Sequence, residues 1–249
     1  MITFIVQARG GSTRLPNKIL LPFYNGMSIL DLLISKLKKV NNTDVIIATS
    51  VKSNCDVIET TSKANGVKCF RGSENDVLQR FIDAAEHYHV DQIIRVCSDN
   101  PFLELASINR LVSKVMSQDE ADYISFNIGG KPSIKTHFGF WTEYVTLNAL
   151  KRVKSLTDES LYHEHVTNYI YTNPAIFNVQ WIDGPESIIK HQDIRLTIDT
   201  PEDYQNAQKI YKDICKKNPY PTIDEIVDYL DAHKEFYGIM KQQIINNSK

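Results

Sequence analysis

The chain has 249 residues, of which 42% are hydrophobic and 23% charged, and this composition is typical of a globular protein with a sizeable core. The formal net charge of −2 excludes the strongly basic balance with which proteins attract nucleic acid or membrane surfaces. Four scattered cysteines without a Cys-x-x-Cys pair argue against a zinc site or a disulfide framework. No apolar run reaches membrane-spanning length and no basic leader precedes the first apolar segment, so we expect a cytoplasmic protein with no membrane insertion and no nucleic acid partner.

The first predicted element is a buried strand, Ile2–Ala8, which runs into a loop rich in glycine and positive charge, Arg9–Lys18. Adjacent glycines, Gly10 and Gly11, allow the backbone to approach a ligand closely, and the N–H groups of such a turn can converge on an anion. The cations of the loop are Arg9, Arg14 and Lys18, and Ser12 adds a hydroxyl. Arginine offers a planar fork that fits phosphate, and lysine offers a point charge. We interpret the loop as a phosphate cradle rather than an ordinary polar connection, although its spacing is neither that of a Walker loop nor that of the dinucleotide fingerprint.

Strand and helix patterns alternate through the first half of the chain. In chain order they are a turn at Asn25-Gly26, a helix capped by Ser28 that reaches Leu37, a strand at Asp44–Ser50, a helix at Ser53–Asn65, a strand at Val67–Phe70, a helix at Asn75–His89, a strand at Gln92–Cys97 and a helix at Glu104–Ser117. This alternation predicts an α/β fold with a mostly parallel sheet and helices on both faces.

The alternation changes after Asp122. Extended segments are predicted at Tyr123–Phe126, Phe138–Glu143, Ile176–Trp181 and Ile194–Ile198. Helices are predicted after Glu143 through Leu150, at Asp158–Tyr171, from Thr200 and from Thr222 to His233, and a frayed end is predicted at Lys241–Lys249. The chain has no internal repeat and no clear linker. We therefore predict one domain over residues 1–249, with residues 122–190 as an insertion for acceptor or dimer contacts.

Two carboxylates follow predicted strands at the edge of the sheet where α/β proteins bind ligands. Asp99 follows Gln92–Cys97, and Asp199 follows Ile194–Ile198. Carboxylate oxygens suit Mg²⁺, whose remaining ligands are commonly water and phosphate oxygens. Taken singly, Asp99 could make a turn before Asn-Pro and Asp199 could cap a helix. Together with the cationic loop, they favour a metal site facing a triphosphate.

Several segments resemble one enzyme family, the cytidylyltransferases that make CMP-activated acidic sugars, and above all its spore-coat polysaccharide branch. Gln7–Lys18 is similar without a gap to Gln-Ala-Arg-x-Gly-Ser-Thr-Arg-Leu-Pro-x-Lys, and Arg71–Arg80 is similar to Arg-Gly-Ser-Glu-x-Asp-Val-Leu-x-Arg. Glu164–Thr167 matches Glu-His-Val-Thr, and Ser98–Pro101 and Ile198–Asp203 also resemble family segments.

The resemblance implies a Rossmann-like nucleotidyltransferase fold, a frequent homodimer, and transfer of CMP from CTP to an acidic sugar with release of pyrophosphate. It implies catalytic roles for Arg14, Lys18, Asp99 and Asp199, with Mg²⁺ held by the two aspartates. The nucleotide-binding residues that it implies are Ala8, Arg9, Gly10, Gly11, Ser12, Arg14, Lys18, Arg71, Asp76, Arg80 and Ser98. Asp76 could instead cap a helix, and Arg80 could instead form a surface salt bridge.

The acceptor side is less defined, because residues 131–137 depart from the run Pro-x-Gly-Leu-Asp that is common in the family. The candidates there are Glu143, in a Gly-x-x-x-Glu element that begins at Gly139, together with His165 and Arg195, for which a core ion pair is an equal alternative. Other readings are a nucleotidyltransferase that uses another nucleotide or a sugar 1-phosphate, and a nucleotide-binding protein without turnover. The presence of both Asp99 and Asp199 argues against the last of these.

Overall fold

A mixed sheet forms the centre of the computed structural model, which describes residues 1–117 and 120–247. The strands of the main sheet are β1 Ile2–Gln7, β4 Thr43–Ser50, β5 Lys68–Gly72, β6 Gln92–Cys97, β7 Tyr123–Ile128, β8 Lys131–Pro132, β9 Glu143–Thr146 and β10 Val179–Asp183. The strands β2 Pro22–Tyr24 and β3 Met27–Ser28 form a separate small hairpin. The order across the main sheet is β10–β7–β9–β6–β1–β4–β5, with β8 beside β7. β1 pairs in parallel with both β4 and β6, whereas β9 is antiparallel to β6 and β7. The predicted mostly parallel α/β fold is confirmed.

Helices cover both faces of the sheet. Their bounds are α1 Ile29–Leu37, α2 Asp56–Ala64, α3 Val77–His87, α4 Leu105–Met116, α5 Leu147–Leu156, α6 Ser160–Glu164, α7 Asn168–Thr172, α8 Glu186–Ile189, α9 Pro201–Cys215, α10 Ile223–Ala232 and α11 Glu235–Asn246. Ser28, Thr200 and Thr222 each cap a helix with an acidic residue three positions on, as their sequence spacing indicates. Short 3₁₀ turns lie at Lys18–Leu20, Ser53–Cys55 and Ser133–Lys135.

The strand residues alternate between two buried clusters. Phe4 and Val6 pack into the cluster that α1, α4 and α9 cover, whereas Ile5 packs on the opposite face under α3 and α5. This alternation is the period of a strand that is buried on both faces. The sheet is therefore a rigid platform, and the loops at its carboxyl edge carry the polar side chains described below.

Two predicted elements differ from the structure between residues 138 and 198. Ile194–Ile198 is buried but is not a strand, because its N–H groups bind loop carbonyls: Leu196 donates to His137 at 2.9 Å and Ile198 donates to Asp99 at 3.0 Å. The predicted strand at 138–143 begins only at Glu143. In both cases an apolar pattern correctly indicates burial but does not specify the backbone partner.

Two predicted helical boundaries also differ. The helix predicted over Asp158–Tyr171 is divided into α6 and α7, and the backbone leaves helical geometry at His165. Residues that were expected to fray after Lys241 continue α11, whose Phe236 and Met240 are buried in the core. The last two residues of the predicted frayed end, Ser248 and Lys249, lie outside the described residues.

Residues 122–190 supply β7, β8, β9 and β10 to the main sheet. The assignment of this segment to acceptor or dimer contacts, within one domain over the whole chain, stays a prediction. None of the helices in the described part of the chain combines the length and apolar character needed to cross a membrane.

Lys36 is a buried cation on α1 and is only 4% exposed. Its ammonium donates to the carbonyl oxygens of Pro101 at 3.1 Å and Leu103 at 2.6 Å, in the loop that follows β6. Burial lowers the pKa of Lys36 to about 8, against weaker opposing effects of Cys215 and Glu104. Lys36 thus connects helix α1 to the segment that carries Asp99.

The pH dependence of stability tests this burial. The pKa of Lys36 is about 8 in the folded protein, below the ordinary value of 10.5. Between these pH values the unfolded chain binds more protons than the folded chain. The free energy of unfolding therefore rises with pH across this window. From pH 8 to 10.5 we expect the unfolding free energy of the wild type, relative to Lys36→Met, to rise by up to about 3 kcal/mol in urea titrations. A difference that does not change with pH would contradict a buried ammonium.

Candidate active site

A small polar cavity of about 160 Å³ lies at the carboxyl edge of β1 and β6. Its lining residues are Gln7, Arg9, Ser12, Thr13, Arg14, Lys18, Ile19, Cys97, Ser98, Asp99 and Asp199. The parallel register explains the convergence, because Gln7 lies opposite Cys97 and both strands therefore end at the same level. The structure thus brings together the loop cations, Ser12, Ser98 and the two aspartates that the sequence indicated.

Lys18 lies between the two aspartates. Its Nζ is 3.4 Å from Asp99 Oδ2 and 3.3 Å from Asp199 Oδ1, and it also donates to the carbonyl oxygen of Ile198. Arg14 Nη2 lies 3.1 Å from Asp199 Oδ1. Burial alone would raise the pKa of Asp199, but the charges of Lys18, Arg14 and Arg195 outweigh burial and hold this pKa below its ordinary value. Asp199 is therefore ionised at neutral pH.

The glycines place the loop backbone against the segment that precedes α2. A Cβ atom on Gly10 would lie 2.6 Å from the carbonyl oxygen of Asn54, closer than a side chain allows. The Gly10 N–H donates to Cys55 Sγ at 3.4 Å. Burial raises the pKa of the Cys55 thiol, but hydrogen bonds from Ser50, Thr49 and Gly10 bring it below its ordinary value. Ala8 is buried at the base of this loop, and Gly11 is exposed.

Arg195 is a structural partner of Asp199. Its side chain is fully buried and binds Asp203 through Nε at 2.8 Å and Nη2 at 2.9 Å, and Nη2 also lies 2.9 Å from Asp199 Oδ2. Asp203 Oδ2 in turn accepts the backbone N–H of Asp199 at 3.0 Å. Arg195 lines neither this cavity nor the larger one described next. It forms a core ion pair, which the sequence analysis gave as the alternative to a role in acceptor binding.

The last turn of α11 contacts the same region from outside. Asn247 Oδ1 accepts a hydrogen bond from Arg14, and Gln243 Oε1 accepts one from the Thr200 hydroxyl at 3.2 Å. Asn247 also donates to Gln243 Oε1 at 3.0 Å. These contacts connect the C-terminal helix with the cationic loop and with the residue that follows Asp199.

A second, larger cavity of about 550 Å³ adjoins the first. It is lined by Gln7, Arg9, Val77, Arg95, Cys97, Asp99, Ile134, Lys135, Leu161, Glu164, His165, Thr167, Asn168 and Tyr171. Four of these, Gln7, Arg9, Cys97 and Asp99, also line the smaller cavity. Two ligands bound in the two cavities would therefore meet along one shared wall.

The predicted acceptor residues lie at different depths around this larger cavity. His165 is exposed and lines the cavity, but Glu143 is buried and is not among the lining residues. The Glu143 carboxylate accepts from Arg95 Nη1 at 2.6 Å, from the Thr167 hydroxyl at 3.1 Å and from the Tyr123 hydroxyl. Glu143 is thus a neighbour of the lining residues Arg95 and Thr167, and it can act on a ligand only through them.

Arg71 and Asp76 line neither cavity. Arg71 forms ion pairs with Asp56 at 2.7 Å and Glu59 at 3.1 Å. Asp76 caps α3 by accepting the Gln79 N–H at 2.8 Å, and its other oxygen binds Lys154 and His163. Burial would raise the pKa of Asp76, but these hydrogen bonds lower it below its ordinary value. The helix-cap alternative for Asp76 is confirmed.

Arg80 is fully buried, so the surface salt-bridge alternative is wrong. One guanidinium nitrogen donates to the Ser73 carbonyl, whereas Nε and Nη2 have no hydrogen-bond partner among the described residues. Burial lowers the pKa of Arg80, and the charge of Arg9 acts in the same direction. The charge of Arg80 is therefore held close to that of the cationic loop.

Gln7 and Arg95 are among the lining residues that sequence reasoning did not select. A signal for Arg95 existed, because a charged residue inside the apolar run Gln92–Cys97 must find a buried partner. The signal for Gln7 was weaker: it is the first residue of the family-like segment Gln7–Lys18, but a polar residue at the end of a strand is common. Lys135 is also in the lining and lies 5.4 Å from the centre of the Tyr171 ring.

A metal ion could be held by Asp99 and Asp199. Their convergence on one cation, Lys18 Nζ, shows that both carboxylates can face a common point, which fits a hard divalent ion. Within residues 1–117 and 120–247, no group of three or more His, Cys, Asp or Glu side chains converges as a metal site. Water and phosphate oxygens would therefore supply the other ligands of such an ion.

A Rossmann-like sheet that carries a cationic glycine loop and two carboxylates at one edge defines a nucleotidyltransferase. The family model described as cytidylyltransferase matches residues 3–242, and the chain belongs to that family. It is accordingly a CTP-dependent enzyme of the EC 2.7.7 type. The resemblance seen in the loop and in the segments at Arg71 and Glu164 is confirmed at the level of the family.

Three known proteins show the extent of the similarity. The chain is 34% identical to the spore coat polysaccharide biosynthesis protein SpsF of Bacillus subtilis over 94% of this chain and 95% of that protein. A solved cytidylyltransferase from Leptospira borgpetersenii is 29% identical, with a TM-score of 0.80 and 97% of both chains covered. CMP:2-keto-3-deoxy-manno-octonic acid synthetase, solved with CTP, is 13% identical with a TM-score of 0.63 over 84% of this chain and 97% of that one, and it shares the fold.

Substituting Gly10 tests the close packing of the loop. Because a Cβ would meet the Asn54 backbone, we expect Gly10→Ala to displace the loop and to raise the KM for CTP roughly tenfold or more. The matched control is Gly238→Ala, since a Cβ atom on this residue of α11 would meet no described side chain within 4 Å. Steady-state kinetics on both variants check this expectation, and a Gly10→Ala enzyme with wild-type KM would contradict it.

Proposed function

We propose that this cytidylyltransferase transfers CMP from CTP to an acidic sugar, or to a related surface-glycan precursor, and releases pyrophosphate. The observation that carries the proposal is the pair of adjoining cavities that share Gln7, Arg9, Cys97 and Asp99. A triphosphate suits the smaller, cation-lined cavity. The larger cavity has room for a sugar-sized acceptor whose attacking oxygen reaches the shared wall.

The triphosphate would be held by the loop at Arg9–Lys18. Arg9, Arg14 and Lys18 lie around the small cavity, and the Ser12 hydroxyl and backbone N–H groups add neutral donors. Lys18 is already close to two carboxylates, so its charge is fixed in position before a ligand arrives. This arrangement favours catalysis by positioning and charge neutralisation, which is how phosphoryl transfer enzymes work in general.

Asp99 and Asp199 would hold Mg²⁺, as their hard oxygens and convergence permit. The bound ion would supply Lewis-acid stabilisation of charge on the phosphates. Lys18, Arg14 and Arg195 keep the pKa of Asp199 low, so that its carboxylate stays ionised. Asp203 accepts the backbone N–H of Asp199 and orients it, and Lys36 fixes the loop after Asp99. Several buried charged side chains therefore fix the positions of these two carboxylates.

The acceptor is proposed to be acidic because the larger cavity has two lining cations, Arg9 and Lys135, without an ion pair among the described residues. The charges of Arg95 and Asp99 are already paired, with Glu143 and Lys18, and Glu164 is the remaining carboxylate of the lining, with His165 at the rim. A carboxylate on the acceptor would complement this excess of positive charge. The 34% identity to a spore coat polysaccharide protein and the fold shared with a synthetase of a CMP-activated sugar acid support this substrate class.

The reaction then forms one bond and breaks one. An acceptor hydroxyl oxygen attacks the α-phosphorus of CTP at the shared wall and gives its proton to solvent. The bond between that phosphorus and the bridging oxygen breaks, and pyrophosphate leaves with the electron pair. Arg14 and Lys18 offset the charge that develops on the departing pyrophosphate. Holding both ligands in adjoining cavities removes most of the entropic cost of their encounter.

Pyrophosphate release measures the proposal directly. The assay crosses CTP, ATP, GTP and UTP with a panel of acidic sugars, neutral sugars and sugar 1-phosphates in the presence of Mg²⁺. We expect release with CTP and an acidic sugar and little release with the other pairs. Release with sugar 1-phosphates alone would contradict the acidic acceptor, and a preference for another nucleotide would contradict the role of CTP.

Removing one carboxylate charge tests the metal assignment. Because Asp99→Asn keeps the size of the side chain but weakens a hard-cation site, we expect turnover to fall roughly a hundredfold or more with Tm nearly unchanged. Asp228→Asn on the exposed surface of α10 makes the same change in charge away from both cavities and should keep wild-type turnover. Raising the Mg²⁺ concentration should recover part of the Asp99→Asn activity, and wild-type turnover in that variant would overturn the assignment.

A further inference from the structure

Gln7 is the last residue of β1 and lines both cavities. Arg95 Nη2 donates to Gln7 Oε1 at 3.0 Å. A guanidinium carries only donors, so the amide atom that faces it must be the oxygen, and the Gln7 nitrogen faces elsewhere. Arg95 is the described partner of the Gln7 side chain, and this contact uses the amide oxygen. The orientation of the Gln7 amide is thus fixed, with its two N–H donors directed away from Arg95.

Arg95 is itself held by a buried hydrogen-bond network with Glu143, Thr167 and Tyr123, which we call the relay. Its Nη1 donates to Glu143 Oε2 at 2.6 Å, and the Arg95 and Glu143 side chains are 6% and 3% exposed. Glu143 also accepts from the Thr167 and Tyr123 hydroxyls. Burial, and next the Glu143 charge, raise the pKa of Tyr123 well above its ordinary value, so this hydroxyl stays a donor. A carboxylate with this many donors holds Arg95 in one place.

The relay is built across neighbouring strands. Arg95 on β6 lies directly opposite Glu143 on β9, Gln7 is on β1, and Tyr123 is on β7. Side chains on a paired sheet move less than side chains on loops, so the geometry of the relay is set before substrate binds. Because desolvation offsets most of the attraction in a buried ion pair, we interpret the pair Arg95–Glu143 as a support for orientation at the site.

We propose that Gln7 is a further catalytic residue whose amide N–H groups donate to a non-bridging oxygen of the α-phosphoryl group, and that Arg95, Glu143 and Tyr123 position it for this contact. The inference rests on the proposed function, which places the α-phosphorus at the wall shared by the two cavities. A neutral, pre-oriented donor stabilises charge that develops there during transfer. Donation to this oxygen explains why a glutamine is held by an arginine whose own charge is neutralised by Glu143.

Two substitutions of Gln7 separate the loss of its N–H donors from the loss of its side-chain volume. Gln7→Glu keeps the size of the side chain and the acceptor for Arg95 but removes both N–H donors, and Gln7→Ala removes the whole amide. We expect kcat to fall about 10- to 100-fold in both variants, with less than about a threefold change in the KM for CTP. Gln205→Glu, on the exposed face of α9, makes the same change in charge outside both cavities and should leave kcat unchanged. Wild-type kcat in Gln7→Glu would overturn the proposal.

A double-mutant cycle tests the relay. Tyr123→Phe removes only the hydroxyl of a residue that lines neither cavity, so a purely structural role would lower Tm and leave kcat unchanged. We expect kcat to fall about fivefold in the wild-type background and to stay unchanged when Tyr123→Phe is added to Gln7→Ala. Equal losses in both backgrounds would contradict positioning through Gln7.

The experiments distinguish a failure of the inference about Gln7 from a failure of the proposed acceptor class. All ratios are measured with whichever acceptor gives the highest wild-type rate in the pyrophosphate assay. If that acceptor is a sugar 1-phosphate, the proposed substrate class fails, while a lowered kcat in the Gln7 variants still supports donation to the α-phosphoryl group. If an acidic sugar is used and the Gln7 variants keep wild-type kcat, only the inference about Gln7 fails.

Discussion

The parallel pairing of β1 between β4 and β6 is the constraint on which the site depends. It ends two strands at one level and so places the cationic loop beside Asp99. It also places the start of α2 close behind the loop, where the backbone of Asn54 allows only glycine at position 10. The connection at residues 194–198 then brings Asp199 to the same edge, through backbone hydrogen bonds to loops rather than to a strand. The sheet and its loops thus position the cations and the carboxylates of the site.

Several charged side chains are buried around the site. Arg95 pairs with Glu143, Arg195 pairs with Asp203, and Lys36 binds two carbonyls of the loop after β6. Buried pairs of this kind add little net stability, since desolvation offsets most of their attraction. Each of them, however, holds a residue that faces a cavity or the loop that carries such a residue. We therefore interpret these charges as supports for orientation and not as a source of stability.

Local signals in the sequence predicted much of this structure. The strand before a glycine-rich cationic loop, the carboxylate after β6, and the helix caps at Ser28, Thr200 and Thr222 depend on neighbouring residues, and the structure has them where expected. The family resemblance was carried by such contiguous segments. It could be recognised because the residues of the cationic loop are close together in the chain.

The remaining features depend on partners that are distant in the sequence. Arg195 and Glu143 were candidates for a ligand because an isolated charge has no visible partner in a sequence, and each proves to have a buried one. Ile194–Ile198 has the apolar pattern of a strand but binds loop carbonyls. Gln7 became a candidate only when Arg95, 88 residues away, fixed its amide. Burial could be read from the sequence in these cases, whereas the choice of partner could not.

The contact between Arg14 and Asn247 joins residues separated by 233 positions. Chains are synthesised from the amino end, and N-terminal segments fold first. The cationic loop therefore emerges early, while its contacts with α11 can form only after nearly all of the described residues exist. For most of its synthesis the chain carries an arginine whose side chain lacks one of its final partners. The full set of contacts around Arg14 therefore exists only in a chain in which α11 has already been synthesised.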